Sequence, residues 1–226
     1  MKIGVLLSGS GVYDGSEVQE AVLTLLSIKE AGHEAVCFSV DKAQHHVINH
    51  LNGEEMDESR NMLTESARIA RGDIKDISSI HPADIDMLVI PGGFGGAKSL
   101  TKWAFEGPEG EILPEVKLLL VNMVNVGKPI VALCVSPVIV AKAFENSDVK
   151  PFVTIGSDQA ASSYDIGGFS DGIKSTGATI EMKLKDEVNI DMDNKIVSAP
   201  CYMMESDIVT LRNNIADALS AGIAMV

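Results

Sequence analysis

Short apolar runs without polar alternation mark the strands of this chain. The first covers residues 3–8 (Ile-Gly-Val-Leu-Leu-Ser). A run of this kind predicts a strand covered on both faces, because a half-exposed strand alternates apolar and polar positions. Gly9-Ser10-Gly11-Val12-Tyr13-Asp14-Gly15 follows as a loop. Ser16 with Gln19 forms a capping box, which predicts a helix from near Glu17 to Ala31, stopped by Gly32. Val18, Val22, Leu25, Leu26 and Lys29 are placed near its inner face. Residues 34–40 form a second strand, so the chain opens with a strand–helix–strand unit whose crossover is right-handed.

Residues 41–80 are polar, with a helix predicted over about 57–70, and read as an elaboration between strands. Residues 86–90 form a third strand that ends in Pro91-Gly92-Gly93-Phe94-Gly95-Gly96. A helix over 114–126 has proline in its first turn and Gly127 beyond its end. Strands follow over 130–133 and 152–156, then a helix over 162–176 interrupted by Gly167-Gly168. Strands over 179–183, 188–191 and 196–199 come next, with a turn at Asp193-Asn194. Ile208, Leu211, Ile215, Leu219 and Ile223 recur at helical spacing and predict a C-terminal amphipathic helix. No repeat or linker interrupts the pattern. It predicts one doubly wound α/β domain over residues 1–226, a mostly parallel sheet with helices on both faces.

The stretch Pro129-Ile130-Val131-Ala132-Leu133-Cys134-Val135-Ser136-Pro137 is the centre of this reading. It predicts a buried strand, a tight turn at Cys134 and a helix with Pro137 in its first turn. Such a corner lifts a side chain beside the free N–H groups of a helix start, where the dipole favours a thiolate. By itself the corner admits two readings: an activated thiol, or a small buried residue closing a strand.

Composition narrows the partners. The net charge is −14 with a pI near 4.7, which argues against nucleic acid and anionic membranes, since both require cationic patches. Three scattered cysteines, Cys37, Cys134 and Cys201, make no disulfide framework and point to a reducing cytoplasm. The opening run is too short for a signal peptide, and no run has transmembrane length.

Sites in open α/β sheets lie outside the carboxyl ends of the strands. Three such ends carry unusual residues here: the loop into Glu17 and Glu20, the Pro91-Gly92-Gly93 turn, and Cys134. The glycine turn and the Val135 N–H are candidate donors to a developing oxyanion, and a carboxyl group from the first helix is a candidate proton carrier. The helix dipole alone also favours acids at Glu17 and Glu20. Gly9-Ser10-Gly11 lacks the residues of a phosphate loop and reads as a strand-to-helix turn. His46 and His50 have helical spacing, but no third ligand accompanies them, so His45, His46 and His50 read as structural or solvated and no metal is expected. Cys37 reads as inert core. Cys201, at a strand end, is placed as a possible second thiol of the same cleft.

Ile90-Pro91-Gly92-Gly93 with Ala132-Leu133-Cys134-Val135-Ser136-Pro137 resembles the ThiJ/PfpI superfamily, whose fold is flavodoxin-like and class I glutamine-amidotransferase-like. Glu17 and Glu20 match that family's first-helix glutamates. Leu7-Ser8-Gly9-Ser10-Gly11-Val12-Tyr13-Asp14-Gly15-Ser16-Glu17 resembles the enhancing-lycopene-biosynthesis (isoprenoid biosynthesis) branch, as do Val47-Ile48-Asn49-His50-Leu51 and Asp193-Asn194-Lys195-Ile196-Val197. The resemblance covers essentially the whole chain. It implies glyoxalase-type chemistry on small dicarbonyls such as glyoxal or methylglyoxal, without metal or organic cofactor. It further implies Cys134 as nucleophile, Glu20 as its carboxylic partner, Gly93 and Val135 as oxyanion donors, and a homodimer. Many relatives carry histidine directly after the cysteine, where this chain has Val135. No histidine follows His81. A Cys–His–Glu glutaminase triad therefore has no histidine in its usual order. The proton shuttle falls to Glu20 or to an early histidine such as His50. The rival reading is a redox-sensing or regulatory binding protein that uses the same cysteine.

Overall fold

The computed structural model describes residues 1–226. Nine strands form: β1 (Lys2–Leu6), β2 (Glu34–Ser39), β3 (Lys75–Asp76), β4 (Met87–Ile90), β5 (Ile130–Leu133), β6 (Phe152–Val153), β7 (Thr179–Ile180), β8 (Asn189–Asp191) and β9 (Ile196–Ala199). The α-helices are α1 (Val18–Glu30), α2 (Met62–Ile69), α3 (Trp103–Glu106), α4 (Pro114–Asn125), α5 (Pro137–Phe144), α6 (Ile166–Ser175) and α7 (Ile208–Ile223). Seven strands make the main sheet in the order β3-β2-β1-β4-β5-β9-β8, all parallel except β8 against β9. The winding reverses between β1 and β4, and right-handed crossovers then send successive helices to opposite faces. Accordingly α1 packs on α7 on one side, and α4 packs on α5 on the other. The central strands β4, β5 and β9 are buried at every position, as their unalternating apolar runs predict.

Several local expectations are corrected. Ser16 does not cap α1. Its hydroxyl accepts the Ser8 N–H at 2.9 Å and ties β1 to the helix start, while the Glu17 carboxylate caps α1 by accepting the Glu20 N–H at 2.7 Å. The buried face of α1 is Glu20, Ala21, Thr24, Ser27 and Ile28, whereas Val18, Val22 and Leu26 are exposed. The strand expected over 152–156 ladders only at Phe152 and Val153. It pairs with β7 in a separate two-stranded sheet, because Thr154 N–H goes instead to the Ser198 hydroxyl at 2.8 Å and Gly156 turns at φ +126°. The helices expected over 57–70 and 162–176 are shorter, starting at Met62 behind an Asn61 cap and at Ile166 behind an Asp165 cap.

Candidate active site

Three strand-to-helix connections interlock above the carboxyl ends of β1, β4 and β5. The Glu17 N–H donates to Gly92 O at 2.8 Å, Phe94 N–H to Val12 O at 2.8 Å, and Gly95 N–H to Gly15 O at 2.9 Å. Ser136 closes the third side, its hydroxyl donating to Pro91 O at 2.8 Å. The glycines are required by this closeness. A Cβ on Gly93, at φ +106°, would lie 2.3 Å from Glu17 N and Gly15 O. The loop at Gly9–Gly15 is a turn, and four of its amides are occupied: Gly9 by the Ser66 hydroxyl, Gly11 by Ser16 O, Tyr13 by His50 and Gly15 by Gly11 O.

Cys134 sits on the elbow between β5 and α5 with φ +58°, a left-handed conformation that is strained for a residue with a side chain. Its N–H completes the sheet by donating to Ala199 O at 2.9 Å. Its thiol meets the carboxyl group of Glu20, which is wholly buried and hydrogen-bonded to it. One Glu20 oxygen accepts the Gly92 N–H at 2.9 Å and the other accepts the Tyr202 N–H at 3.1 Å. Gly92 makes room for the pair. A Cβ there would sit 2.3 Å from the Cys134 Cβ and 2.4 Å from Glu20 Oε2.

Burial decides the protonation of this pair. It pushes the Glu20 carboxyl up to about 8, helped by the nearby charge of Glu17 and opposed by the Tyr202, Cys134 and Gly92 donors. Burial likewise pushes the Cys134 thiol up, with the charges of Glu20 and Cys201 acting in the same direction and the Val135 N–H opposing. The expectation of a thiolate set by the helix start alone is therefore corrected: the one helix-start donor at the sulfur is outweighed by desolvation. Near neutral pH both groups are therefore mostly protonated, and a buried carboxylic acid stands beside a thiol.

Of the other residues named from the sequence, Val135 directs its N–H at the Cys134 sulfur, and neither Val135 nor Gly93 donates to a backbone carbonyl. Glu17 lies next to Glu20 but is engaged as the cap of α1. Cys201 is buried beside the pair, and the Cys134 amide faces its sulfur. His50 is not brought in. It lies outside the first loop, with Nε2 accepting the Tyr13 N–H at 3.3 Å, Nδ1 facing Ile48 O at 3.0 Å, and its ring 5.0 Å from that of Tyr13. His45 and His46 pack on Phe105. No group of three or more His, Cys, Asp or Glu side chains is placed to hold a metal ion.

Sequence reasoning missed Tyr202 and Tyr164. Tyr202 supplies a backbone donor to Glu20, and burial raises the Tyr164 phenol to about 12, with the charges of Cys134 and Glu20 adding to it. With Glu17, Met204 and Glu205 they line a cleft of about 360 Å³; Cys134 and Glu20 are not among its lining residues. The position of Tyr202 just past a strand end is a signal that was present in the sequence. Tyr164, in a loop before α6, has none.

The chain matches no protein-family model. It is 39% identical over 207 residues to the human mitochondrial glutamine amidotransferase-like class 1 domain-containing protein 3, covering 91% of this chain and 76% of the relative. The crystal structure of an isoprenoid biosynthesis protein with an amidotransferase-like domain from Ehrlichia chaffeensis superposes with a TM-score of 0.89 at 35% identity, covering 100% of this chain and 99% of the other. Glyoxalase III from Candida albicans shares the fold alone, with a TM-score of 0.60 at 16% identity over 98% of this chain and 97% of the other. With that similarity along its whole length and the elbow, glycine turn and first-helix glutamates in place, the chain belongs to the family of class 1 glutamine-amidotransferase-like proteins.

Proposed function

We propose that the protein is a cofactor-independent glyoxalase-like enzyme. The observation that carries this reading is the buried pair of Cys134 and Glu20, whose carboxyl group is held by the Gly92 and Tyr202 N–H groups. The Cys134 sulfur adds to the aldehyde carbon of glyoxal or methylglyoxal, and the carbonyl oxygen takes a proton to give a hemithioacetal. Glu20, as carboxylate, removes the hydrogen from that carbon and returns a proton to the neighbouring carbon, while the hemithioacetal hydroxyl proton passes to the neighbouring oxygen, leaving a thioester. Water then cleaves the thioester to a 2-hydroxy acid and frees the thiol. A carboxyl group with its pKa near 8 is suited to both halves of that transfer at neutral pH. The Gly93 N–H, which donates to no backbone carbonyl, and the Val135 N–H at the sulfur support this reading over a purely redox-sensing one, because sensing needs no oxyanion donors.

The name of the Ehrlichia neighbour adds a connection to isoprenoid biosynthesis to the proposal. A homodimer in a reducing compartment completes it: the three cysteines are free, and no helix is long and apolar enough to cross a membrane. The test is incubation of the purified protein with glyoxal. Glycolate should accumulate catalytically, and accumulation of a stable Cys134 adduct without glycolate would overturn the reading.

A further inference from the structure

Cys201 has no part in the dicarbonyl chemistry, yet its placement is specific. The strands β5 and β9 run in parallel register to their last residues, with Leu133 opposite Ala199. Cys134 follows one residue later on β5, and Cys201 two residues later on β9. Neighbouring strands are about 4.8 Å apart, and bridged cysteines have Cα separations of roughly 4.4–6.8 Å. Both cysteines adopt left-handed backbone, Cys134 at φ +58° and Cys201 at φ +48°, where glycine would be the unstrained choice. The Cys134 N–H, while bonded to Ala199 O, also faces the Cys201 sulfur. Cys201 is anchored from behind, its N–H donating to Asn214 Oδ1 at 3.0 Å while Asn214 Nδ2 donates to Glu187 O at 2.8 Å. Cys37, by contrast, lies mid-strand in β2 with no cysteine beside it.

We propose that Cys201 is the resolving thiol of Cys134, so that the pair forms a reversible intrachain disulfide and reduces small hydroperoxides at the expense of a dithiol. In the first step the Cys134 sulfur attacks the outer peroxide oxygen. The O–O bond breaks, an S–O bond forms, and the departing alkoxide or hydroxide takes the thiol's proton, leaving Cys134 as a sulfenic acid. In the second step the Cys201 sulfur attacks the Cys134 sulfur. The S–O bond breaks, an S–S bond forms, and the hydroxide leaves as water with the Cys201 proton. The two electrons gained by the peroxide come from the two thiols, and an external dithiol restores both by exchange. The disulfide also reaches Glu20, because Tyr202, next to Cys201, donates one of the three hydrogen bonds that hold its carboxyl group.

The experiment oxidises the full chain with one equivalent of hydrogen peroxide in the absence of any dicarbonyl, then counts thiols and maps peptides without reduction. The expected result is a fall from three titratable thiols to one, with Cys37 the survivor, a peptide pair joined through Cys134 and Cys201, and full recovery with dithiothreitol. Dimedone should capture little sulfenic acid from the wild type. It should capture it on Cys134 in Cys201→Ala and in Cys201→Ser, two variants of different polarity that guard against loss of folding in either one. Dithiol-dependent peroxide turnover should fall at least about tenfold in both variants. Stable Cys134 sulfenic or sulfinic acid in the wild type, with Cys201 still titratable, would overturn the proposal. Because glyoxal is absent, failure here leaves the dicarbonyl reading standing, and failure to make glycolate leaves this one standing.

Discussion

Two buried cysteines lie beside cavities at opposite ends of the sheet. At the amino ends, Cys37 lines an open groove of about 920 Å³ with Met1, Lys29, His33, Arg71 and Asp73. At the carboxyl ends, Cys134 is buried near a cleft of only about 360 Å³ that Tyr164 and Tyr202 line. The larger space has the poorer chemistry. Cys37 points from the middle of a regular strand, its thiol is pushed up to about 11 by burial and the charge of Asp73, and no carboxyl group is hydrogen-bonded to it. Cys134 stands on an elbow, lies beside the buried carboxyl group of Glu20 and has a helix-start N–H at its sulfur. The difference comes from strand polarity. In a parallel sheet, helix starts and their unpaired N–H groups gather at the carboxyl ends, so donors and acids converge there regardless of cavity size.

The comparison breaks most sharply at the nucleophile. Cys134→Ser should abolish glycolate production from glyoxal, because serine at that place has no strong base to activate it, while Cys37→Ser should leave the rate unchanged. The opposite pattern would move the active site to the groove.

Glu20→Gln keeps the shape and one acceptor but carries no transferable proton, and should lower the rate by about 10²–10⁴-fold. The same variant sharpens the electrostatic half of the contrast. Glu20 titrates at about 8 when folded against an ordinary value of 4.5, so between those limits the folded chain holds a proton that the unfolded chain has released. Stability is therefore fully present below about 4.5 and is lost as pH rises to about 8, by an amount on the order of a few kcal/mol. Thermal melts from pH 5 to 9 should show a fall in the wild type that Glu20→Gln flattens; parallel curves would mean that Glu20 is ionised throughout.

Gly92→Ala tests the packing of the pair. The added methyl overlaps both the Cys134 Cβ and Glu20 Oε2, so a displacement of about 1 Å and a loss near 10²-fold in turnover are expected, with a lower melting temperature. The smallest effect belongs to His50→Ala. Its ring props the first loop from outside, and turnover should change by less than about twofold. A hundredfold loss there would transfer the proton shuttle from Glu20 to the histidine.

The sequence by itself determined what short-range physics controls. Unalternating apolar runs located β1, β2, β4, β5 and β9, the proline and glycine signals bounded α4, and the apolar run into Cys134 followed by Pro137 marked the elbow. It also brought Glu20 forward as a candidate through the resemblance of the first helix. It did not determine which face of α1 turns inward. Apolar side chains lie on both sides of that helix, and the buried side is the one bearing Glu20, whose hydrogen-bond partners Gly92 and Tyr202 are 72 and 182 residues away. Periodicity counts apolar positions and cannot weigh a buried carboxyl group against Val18, Val22 and Leu26 left in solvent. The same limit hid the side sheet of β6 and β7 and left the meeting of Cys134 with Cys201 open. Each depends on a contact between distant segments, and the raised pKa values at the site follow from burial that only the assembled core creates.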